Sequence, residues 1–373
     1  MGCCSVDRPR VPNTATLGGR GAVEPKELTV TILPVRDYWT AAADAFAADA
    51  LELTLLPTEQ CNLRCTYCYE TFAVGRMEDW VVAAVKELIA RRVPELRRLT
   101  LDWFGGEPLL AIDIIEEISG LAQILSHANP LVEYRSSITT NGVLLTADYA
   151  RRLSAVGVDH LHVSLDGPAP SHDLTRKLRG GRGTFERIQT NLYEIRASDV
   201  DTHIDLRVHV TPANVDVLDE FTTHLIETFL DDERFSAYFF PIVDLGGPNQ
   251  GDFSVLRPSE ASAVVQRLSV RVAEVQRRKP KKGKGCDSSY VCYAAKPNAW
   301  VVRADGRLAK CTVGFEDERN NVGRILPDGS FEVRSDDVRP WLRGWSNGDM
   351  LSLHCPYEEM RDDVQNGLVT SRR

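Results

Sequence analysis

Between residues 50 and 241 the chain alternates short β-rich runs with amphipathic helical ones, and this alternation limits the fold more than any other feature. Residues 51–56 read as a strand, and the helix after it sets Val81, Val85 and Leu88 on one face at i, i+4 and i+7. Residues 99–104 read as a second strand, followed by a helix with Ile114, Ile118, Leu121 and Leu125 in register. The third strand spans 134–140; its helix starts at the cap Thr146 and stops at Gly157. The fourth spans 161–165, with a helix after Thr184. The fifth, 203–210, alternates polar and apolar residues and leads to a helix over 217–229. Residues 237–240 close the set, and the helix after Ser259 carries Val264, Leu268, Val272 and Val275. Six strand–helix repeats imply a parallel sheet. Six units instead of eight predict an α/β fold, a partial (β/α)6 TIM-like barrel open on one side, with chemistry gathered at the C-terminal strand ends.

The first strand runs into CNLRCTYCYE, which places Cys61, Cys65 and Cys68 on that rim with the spacing C-x-x-x-C-x-x-C. Three thiolates are one too few for a closed tetrahedral zinc site and one too few to fill a four-iron cluster. A [4Fe–4S] cubane held by three cysteines leaves one iron open, able to bind and reduce a small molecule. A zinc knuckle or scattered core thiols are the alternatives. The next strand ends carry Gly105-Gly106-Glu107-Pro108, Thr140-Asn141-Gly142 and Ser164-Leu165-Asp166-Gly167. Taken singly, each is ordinary turn chemistry. Glycines also allow close backbone approach, and a carboxylate beside them can receive an ammonium group. His172-Asp173-x-x-Arg176 follows; Arg176 reads either as a surface arginine or as a ligand contact. His162 shares a strand face with Ser164 and Asp166 and is assigned no role, because a lone strand histidine is usually a hydrogen-bonded structural residue.

Near residue 280 the composition changes. RRKPKKGKG, residues 277–285, is basic and poor in apolar residues, and reads as a solvated linker or as a grip on an acidic peptide. Beyond it, Cys286 and Cys292 are followed by Gly306, Cys311 and Cys355 in a region with little helical periodicity. AWVVRADGRLAKCTV reads as a β-hairpin turning at Asp305-Gly306. A cysteine pair, a hairpin and a later fourth thiolate can enclose one cluster or one zinc. The expected division is a partly disordered N-terminal leader (1–49), a barrel (50–276), the linker (277–285) and a cysteine-bearing domain (286–373).

The cysteine loop and the three strand ends after it, in that order, resemble the radical S-adenosylmethionine (radical SAM) enzymes, with Tyr67 as the aromatic residue before the last cysteine. The resemblance implies a [4Fe–4S] cluster on Cys61, Cys65 and Cys68 that binds S-adenosylmethionine. It puts the methionine amine at Gly105, Gly106 and Glu107, with further cofactor contacts from Tyr67, Asn141, Ser164 (a candidate for the ribose), Asp166 and Arg176. The pattern Cys292-x13-Gly306-x4-Cys311 is similar to the opening of the SPASM/Twitch extension of these enzymes. The C-x-x-C-x(5)-C-x(3)-C run of the fuller SPASM version is absent from this sequence. One auxiliary [4Fe–4S] cluster, on Cys286, Cys292, Cys311 and Cys355, is therefore the expectation.

The resemblance further implies reductive cleavage of S-adenosylmethionine to a 5′-deoxyadenosyl radical. The expected outcome is oxidative modification of a ribosomally made peptide, as a C–C or C–S cross-link or a related two-electron oxidation, with the auxiliary cluster taking the second electron. The implied partners are a precursor peptide, with or without a separate leader-recognition protein, and an electron donor such as flavodoxin or ferredoxin. A radical SAM dehydrogenase of a small-molecule alcohol is the runner-up. Sulfatase maturation is disfavoured, because Thr312 stands where those enzymes carry Asp. A zinc-stabilised binding module is the non-enzymatic alternative. The general base is not identified.

The rest of the chain narrows the class. A net charge of −9 gives no general reason to bind nucleic acid. No apolar run is long enough to span a bilayer and no signal peptide opens the chain, so the expected setting is cytoplasmic, away from membranes. Nine cysteines, an odd count, argue for metal ligation over a disulfide framework. Cys3 and Cys4 read as incidental, since the start of the chain resembles a myristoylation signal but has Val6 where Ser or Thr is needed. The N-terminal stretch is too short for a winged leader-recognition domain.

Overall fold

The computed structural model describes residues 35–276 and 290–365 of the chain. The linker 277–285, Cys286, Cys3 and Cys4 lie outside the described residues. Six parallel strands form the barrel wall: β1 (Ala50–Leu55), β2 (Arg98–Trp103), β3 (Glu133–Thr140), β4 (His160–Leu165), β5 (His203–Val210) and β6 (Phe235–Pro241). Each expected strand is present, shifted by a residue or two at its ends. A meander of β7 (Ala299–Val302), β8 (Arg307–Ala309), β9 (Gly323–Ile325) and β10 (Phe331–Val333) continues the sheet from the free edge of β1. Strand β7 pairs parallel to β1, with Leu53 opposite Trp300, so the C-terminal hairpin extends the barrel sheet. The sheet order runs β10 to β7, then β1 to β6, and β6 has no further strand beside it among the described residues.

The core lies between the outer face of the sheet and its helices. Leu53, Leu101, Trp103, Ile138, Val163, Leu206 and Val208 are fully buried, and each such side chain contributes roughly 1.5–3 kcal/mol relative to exposure. Helix Asp79–Arg92 buries Val81, Val85 and Leu88 as its periodicity requires. Helix Ile112–Ala128 buries Ile114 and Ile118, but Leu121 and Leu125 are only half-buried. Its buried stripe runs instead through Ile115, Ile118 and Ala122. Because this helix is apolar around much of its girth, periodicity alone misplaced its axis. Thr146 caps helix Ala147–Ala155 by accepting from the Tyr149 amide at 3.2 Å, and Gly157 ends that unit at φ +75°.

The hairpin turn falls at Asp305-Gly306, with Gly306 at φ +82°. The C-terminal region differs from expectation. It contains helices Ser335–Val338, Arg343–Asn347, Met350–His354 and Pro356–Gln365. All but the last are a turn or so long, too short for a hydrophobic period to declare itself. Helix Val35–Ala45 lies within the expected leader; Tyr38 of this helix and Phe46 just after it pack against Trp345. Among the described residues no helix is long and apolar enough to cross a membrane.

Candidate active site

Strand β1 delivers the cysteine loop to the C-terminal rim, and four neighbouring segments hold it there. The Gly105-Gly106 turn packs so tightly beneath the loop that a Cβ on either glycine would collide with the carbonyl oxygen of Thr58 or Gln60. Gly105 also needs φ +121°, a conformation few other residues adopt. The Gly106 and Glu107 amides donate to the Thr58 and Gln60 carbonyls at 3.3 and 2.9 Å. Glu107 is fully buried and acts as a brace: Oε1 accepts from Thr140 Oγ1 and the Leu109 amide, and Oε2 from the Asn141 amide at 2.7 Å. Its carboxylate thus ties the end of β2 to the end of β3. Asn141 continues the chain of contacts, donating to Asn62 Oδ1 at 2.8 Å and approaching Cys61 Sγ at 3.8 Å.

The short segment Leu63–Cys65 pairs antiparallel with Arg176–Leu178, which puts Cys65 opposite Arg176. Tyr67 then anchors the loop to β4. Its hydroxyl donates to Asp166, with contacts of 2.7 and 2.9 Å to the two oxygens, and accepts from Arg176 at 2.9 Å. Asp166 also accepts from Thr175 Oγ1 at 2.6 Å and meets His209 Nδ1 at 3.0 Å. Burial opposes charge on Asp166, but the His209 hydrogen bond and the Arg176 guanidinium outweigh it and hold this carboxyl well below the usual range. His209 is itself pushed down to about 4 by burial against the pull of Asp166. The imidazole is therefore neutral, and Nδ1 carries the proton it gives to Asp166. Arg176 keeps its charge in spite of burial, through Tyr67, Cys65 and Asp166.

The three thiols are half-buried. Burial, with Glu107 beside Cys61 and the cysteines beside one another, pushes Cys61 and Cys68 up to about 12 and raises Cys65. Three thiolates cannot share this site at neutral pH without a compensating cationic centre. Thiolates around one zinc ion stand about 3.8 Å apart, from Zn–S bonds near 2.3 Å. Among the described residues neither cysteine triad converges within 4.8 Å. The donor set therefore fits a larger iron–sulfur cluster better than a single ion.

The structure brings Tyr67, Gly105, Gly106, Glu107, Asn141, Asp166 and Arg176 together around the loop. Ser164 is buried on β4, opposite Arg207 of β5. Asn62, Thr175, His209, Asn214 and Asn249 were missed in the sequence. Asn214 Nδ2 donates to the Asp166 and His209 carbonyls, and Asn249 Nδ2 to the Cys68 carbonyl at 2.9 Å. His209 had a signal: it is the last of the alternating polar positions 203, 205, 207 and 209 on β5.

In the second cysteine group, Cys292 and Cys311 are buried and Cys355 is half-buried. Burial, with Cys292 and Cys355 nearby, raises Cys311 strongly. The Cys292 amide donates to the Leu353 carbonyl at 2.9 Å, which fastens this cysteine to helix Met350–His354. Tyr293 hydroxyl lies 3.9 Å from Cys311 Sγ, and the Val313 amide donates to that sulfur at 3.4 Å. A bidentate ion pair joins the two cysteine regions: Arg303, at the end of β7, donates to Glu59 at 3.0 and 2.6 Å, and both side chains are almost wholly buried. Between the regions opens a cavity of about 310 Å³ lined by Tyr69, Glu70, Phe315, Glu316, Tyr357 and Arg361, among others. Burial and the nearby Glu59 raise Glu70 to about 8.

Residues 55–221 match the Radical SAM superfamily. They have the radical SAM α/β fold. The cofactors of such a domain are a [4Fe–4S] cluster and S-adenosylmethionine. The chain is similar to the GTP 3′,8-cyclase of Peptoclostridium acidaminophilum, 30% identical over 52% of this chain and 58% of that protein. Matches to the first three such cyclases span 50–58% of their length, little more than half. It is also similar to the AdoMet-dependent heme synthase of Methanosarcina barkeri, 24% identical over 82% of this chain and 84% of that one. Among solved structures, anSMEcpe with bound AdoMet and Kp18Cys peptide shares the fold at TM-score 0.62 and 21% identity, over 78% of this chain and 80% of that one. SuiB of Streptococcus suis bound to precursor peptide SuiA does so at TM-score 0.50 and 16% identity, over 74% and 63%.

Proposed function

We propose that the chain is a radical SAM enzyme that oxidatively modifies a ribosomally made peptide. When bound, the [4Fe–4S] cluster and S-adenosylmethionine supply a 5′-deoxyadenosyl radical that removes a hydrogen atom from the substrate. Cys61, Cys65 and Cys68 hold that cluster. Gly105 and Gly106 keep the backbone close beneath it, and Glu107 and Asn141 fix the strand ends beside it. Tyr67, Asp166 and Arg176 hold the loop rigid, with Ser164 and Arg176 as contacts for the ribose or the methionine carboxylate. Cys292, Cys311 and Cys355, with Cys286 outside the described residues, hold one auxiliary [4Fe–4S] cluster that takes up the substrate's second electron. A flavodoxin- or ferredoxin-type protein supplies the first electron.

The cavity between the two cysteine regions carries the choice of substrate class. With Glu70 raised to about 8 and so largely protonated at neutral pH, Glu316 and Asp317 balance Arg319 and Arg361, Arg319 is already paired with Asp317, and the cavity has no excess of positive charge. A triphosphate would need such an excess. Tyr69, Phe315 and Tyr357 offer apolar and aromatic surface suited to a peptide side chain. The deciding experiment incubates the reduced, cluster-loaded enzyme and S-adenosylmethionine with either GTP or a short peptide encoded beside its gene. A peptide product lighter by two hydrogens, with GTP unchanged, is expected. Turnover of GTP with the peptide intact would replace this reading by the cyclase one.

A further inference from the structure

At the opposite end of the barrel, β4 and β5 gather three imidazoles around one carboxylate. His160 and His203 are register partners at the first position of each strand, and His162 and Asp205 are partners two residues on. Side chains repeat every second residue along a strand, so all four share one face. His160 Nε2 lies 2.5 Å from Asp205 Oδ2, His203 Nε2 3.2 Å from Oδ1, and His162 Nδ1 3.3 Å from Oδ2. Donor atoms of His160, His203 and Asp205 all fall within 4.8 Å of one another, the one such group among the described residues.

Hydrogen bonding leaves one atom of this group over. Asp205 accepts from His160, His203 and Ser236, whose Oγ donates to Oδ1. The buried Nδ1 of His162 makes no hydrogen bond despite its closeness to the carboxylate, and leaving such an atom unsatisfied costs about 1–3 kcal/mol.

We propose that His160, His203 and Asp205 bind one divalent transition-metal ion of the zinc class. Nitrogen donors with one carboxylate suit Zn²⁺ and its neighbours, whereas Ca²⁺ and Mg²⁺ take all-oxygen sites. Ligand atoms around tetrahedral zinc stand about 3.4 Å apart, from bonds near 2.1 Å. The spacing of His203 from Asp205 already matches. His160 must draw back by less than about 1 Å, and its 42% exposed side chain leaves room for that and for the ion to arrive. Ser236 on the carboxylate supplies the orienting contact. His209 stands six residues further along β5, about 20 Å away at 3.3 Å per residue. The ion therefore pins β4 to β5 at the floor of the barrel and takes no part in the chemistry at the rim.

The test uses the full-length, cluster-loaded protein, equilibrated anaerobically with Zn²⁺, dialysed, and assayed for metals by mass spectrometry. One zinc per chain beyond the cluster iron is expected, with a thermal midpoint that rises as zinc is added. His203→Ala and Asp205→Asn should each weaken zinc binding at least tenfold. Should either fail to fold by circular dichroism, His160→Gln at the exposed position serves instead. Wild-type protein without extra zinc, or extra zinc equally retained by the folded variants, would reduce the cluster to a hydrogen-bonded network and overturn the proposal.

Discussion

The two cysteine regions are built on opposite plans. Cys61, Cys65 and Cys68 ride a half-buried loop held by polar contacts: Glu107 to Asn141, Asn141 to Asn62, Tyr67 to Asp166 and Arg176. Cys292 and Cys311 sit in the hydrophobic core, with Tyr293, Trp341 and Val322 in the same cluster. A loop held by directional bonds can be positioned to a fraction of an ångström and still face a cavity. A pair of thiols sunk in apolar packing is shielded from solvent and substrate. The difference assigns access to the first region and enclosure to the second.

The comparison breaks most readily at the metals. Replacing Cys61, Cys65 and Cys68 together by alanine should remove roughly four irons and all S-adenosylmethionine cleavage. Replacing Cys292 and Cys311 should remove a similar amount of iron yet leave cleavage measurable while abolishing peptide oxidation. Iron analysis with product chromatography checks both. If the second pair of replacements also stopped cleavage, the division of labour would be wrong.

The link between the regions comes next. Glu59→Gln leaves Arg303 as an uncompensated buried charge, which typically costs 3–5 kcal/mol. A lowered urea midpoint should show it, whereas replacing both partners by apolar residues of similar volume should cost much less. Gly106→Ala forces a Cβ against the Gln60 carbonyl and displaces the cysteine loop. A shift of about 1 Å can cost on the order of a hundredfold in rate. S-adenosylmethionine cleavage should therefore fall by about that factor while the iron content of the second region is unchanged.

The smallest effect is in acid. Burial and then Arg176 push His172 down to about 4, so the folded protein keeps this imidazole neutral where the unfolded chain protonates it below about 6.5. Its contribution is complete above pH 6.5, declines as pH falls, and is gone below about 4. Over that span it amounts to about 3 kcal/mol. His172→Gln should narrow the difference in urea midpoint between pH 7 and pH 5. An unchanged difference would show that His172 is protonated in the folded state.

The barrel was legible because each strand and helix carries its own period, and the cysteine loop because its spacing is local. The Thr146 cap, the Gly157 stop and the Asp305-Gly306 turn were readable for the same reason. What escaped depends on residues far apart in sequence. Arg303 and Glu59 are 244 positions apart, and His209 and Asp166 are 43 apart; neither pairing leaves a mark on its own stretch of chain. Glu107 shows the subtler limit. Its position was expected, but its three internal bonds, which make it a brace between strand ends, could be seen only once β2 and β3 were side by side. The polar face of β5 lay open as a pattern, and only the register with β4 brought His203 and Asp205 beside His160 as the proposed metal site.

The most direct test is S-adenosylmethionine cleavage itself, followed as 5′-deoxyadenosine released by the reduced, anaerobically loaded protein. The account predicts that the wild-type chain releases it and that the variant lacking Cys61, Cys65 and Cys68 does not. Release that persists in that variant, or a wild-type protein that holds only zinc and releases none, would contradict it.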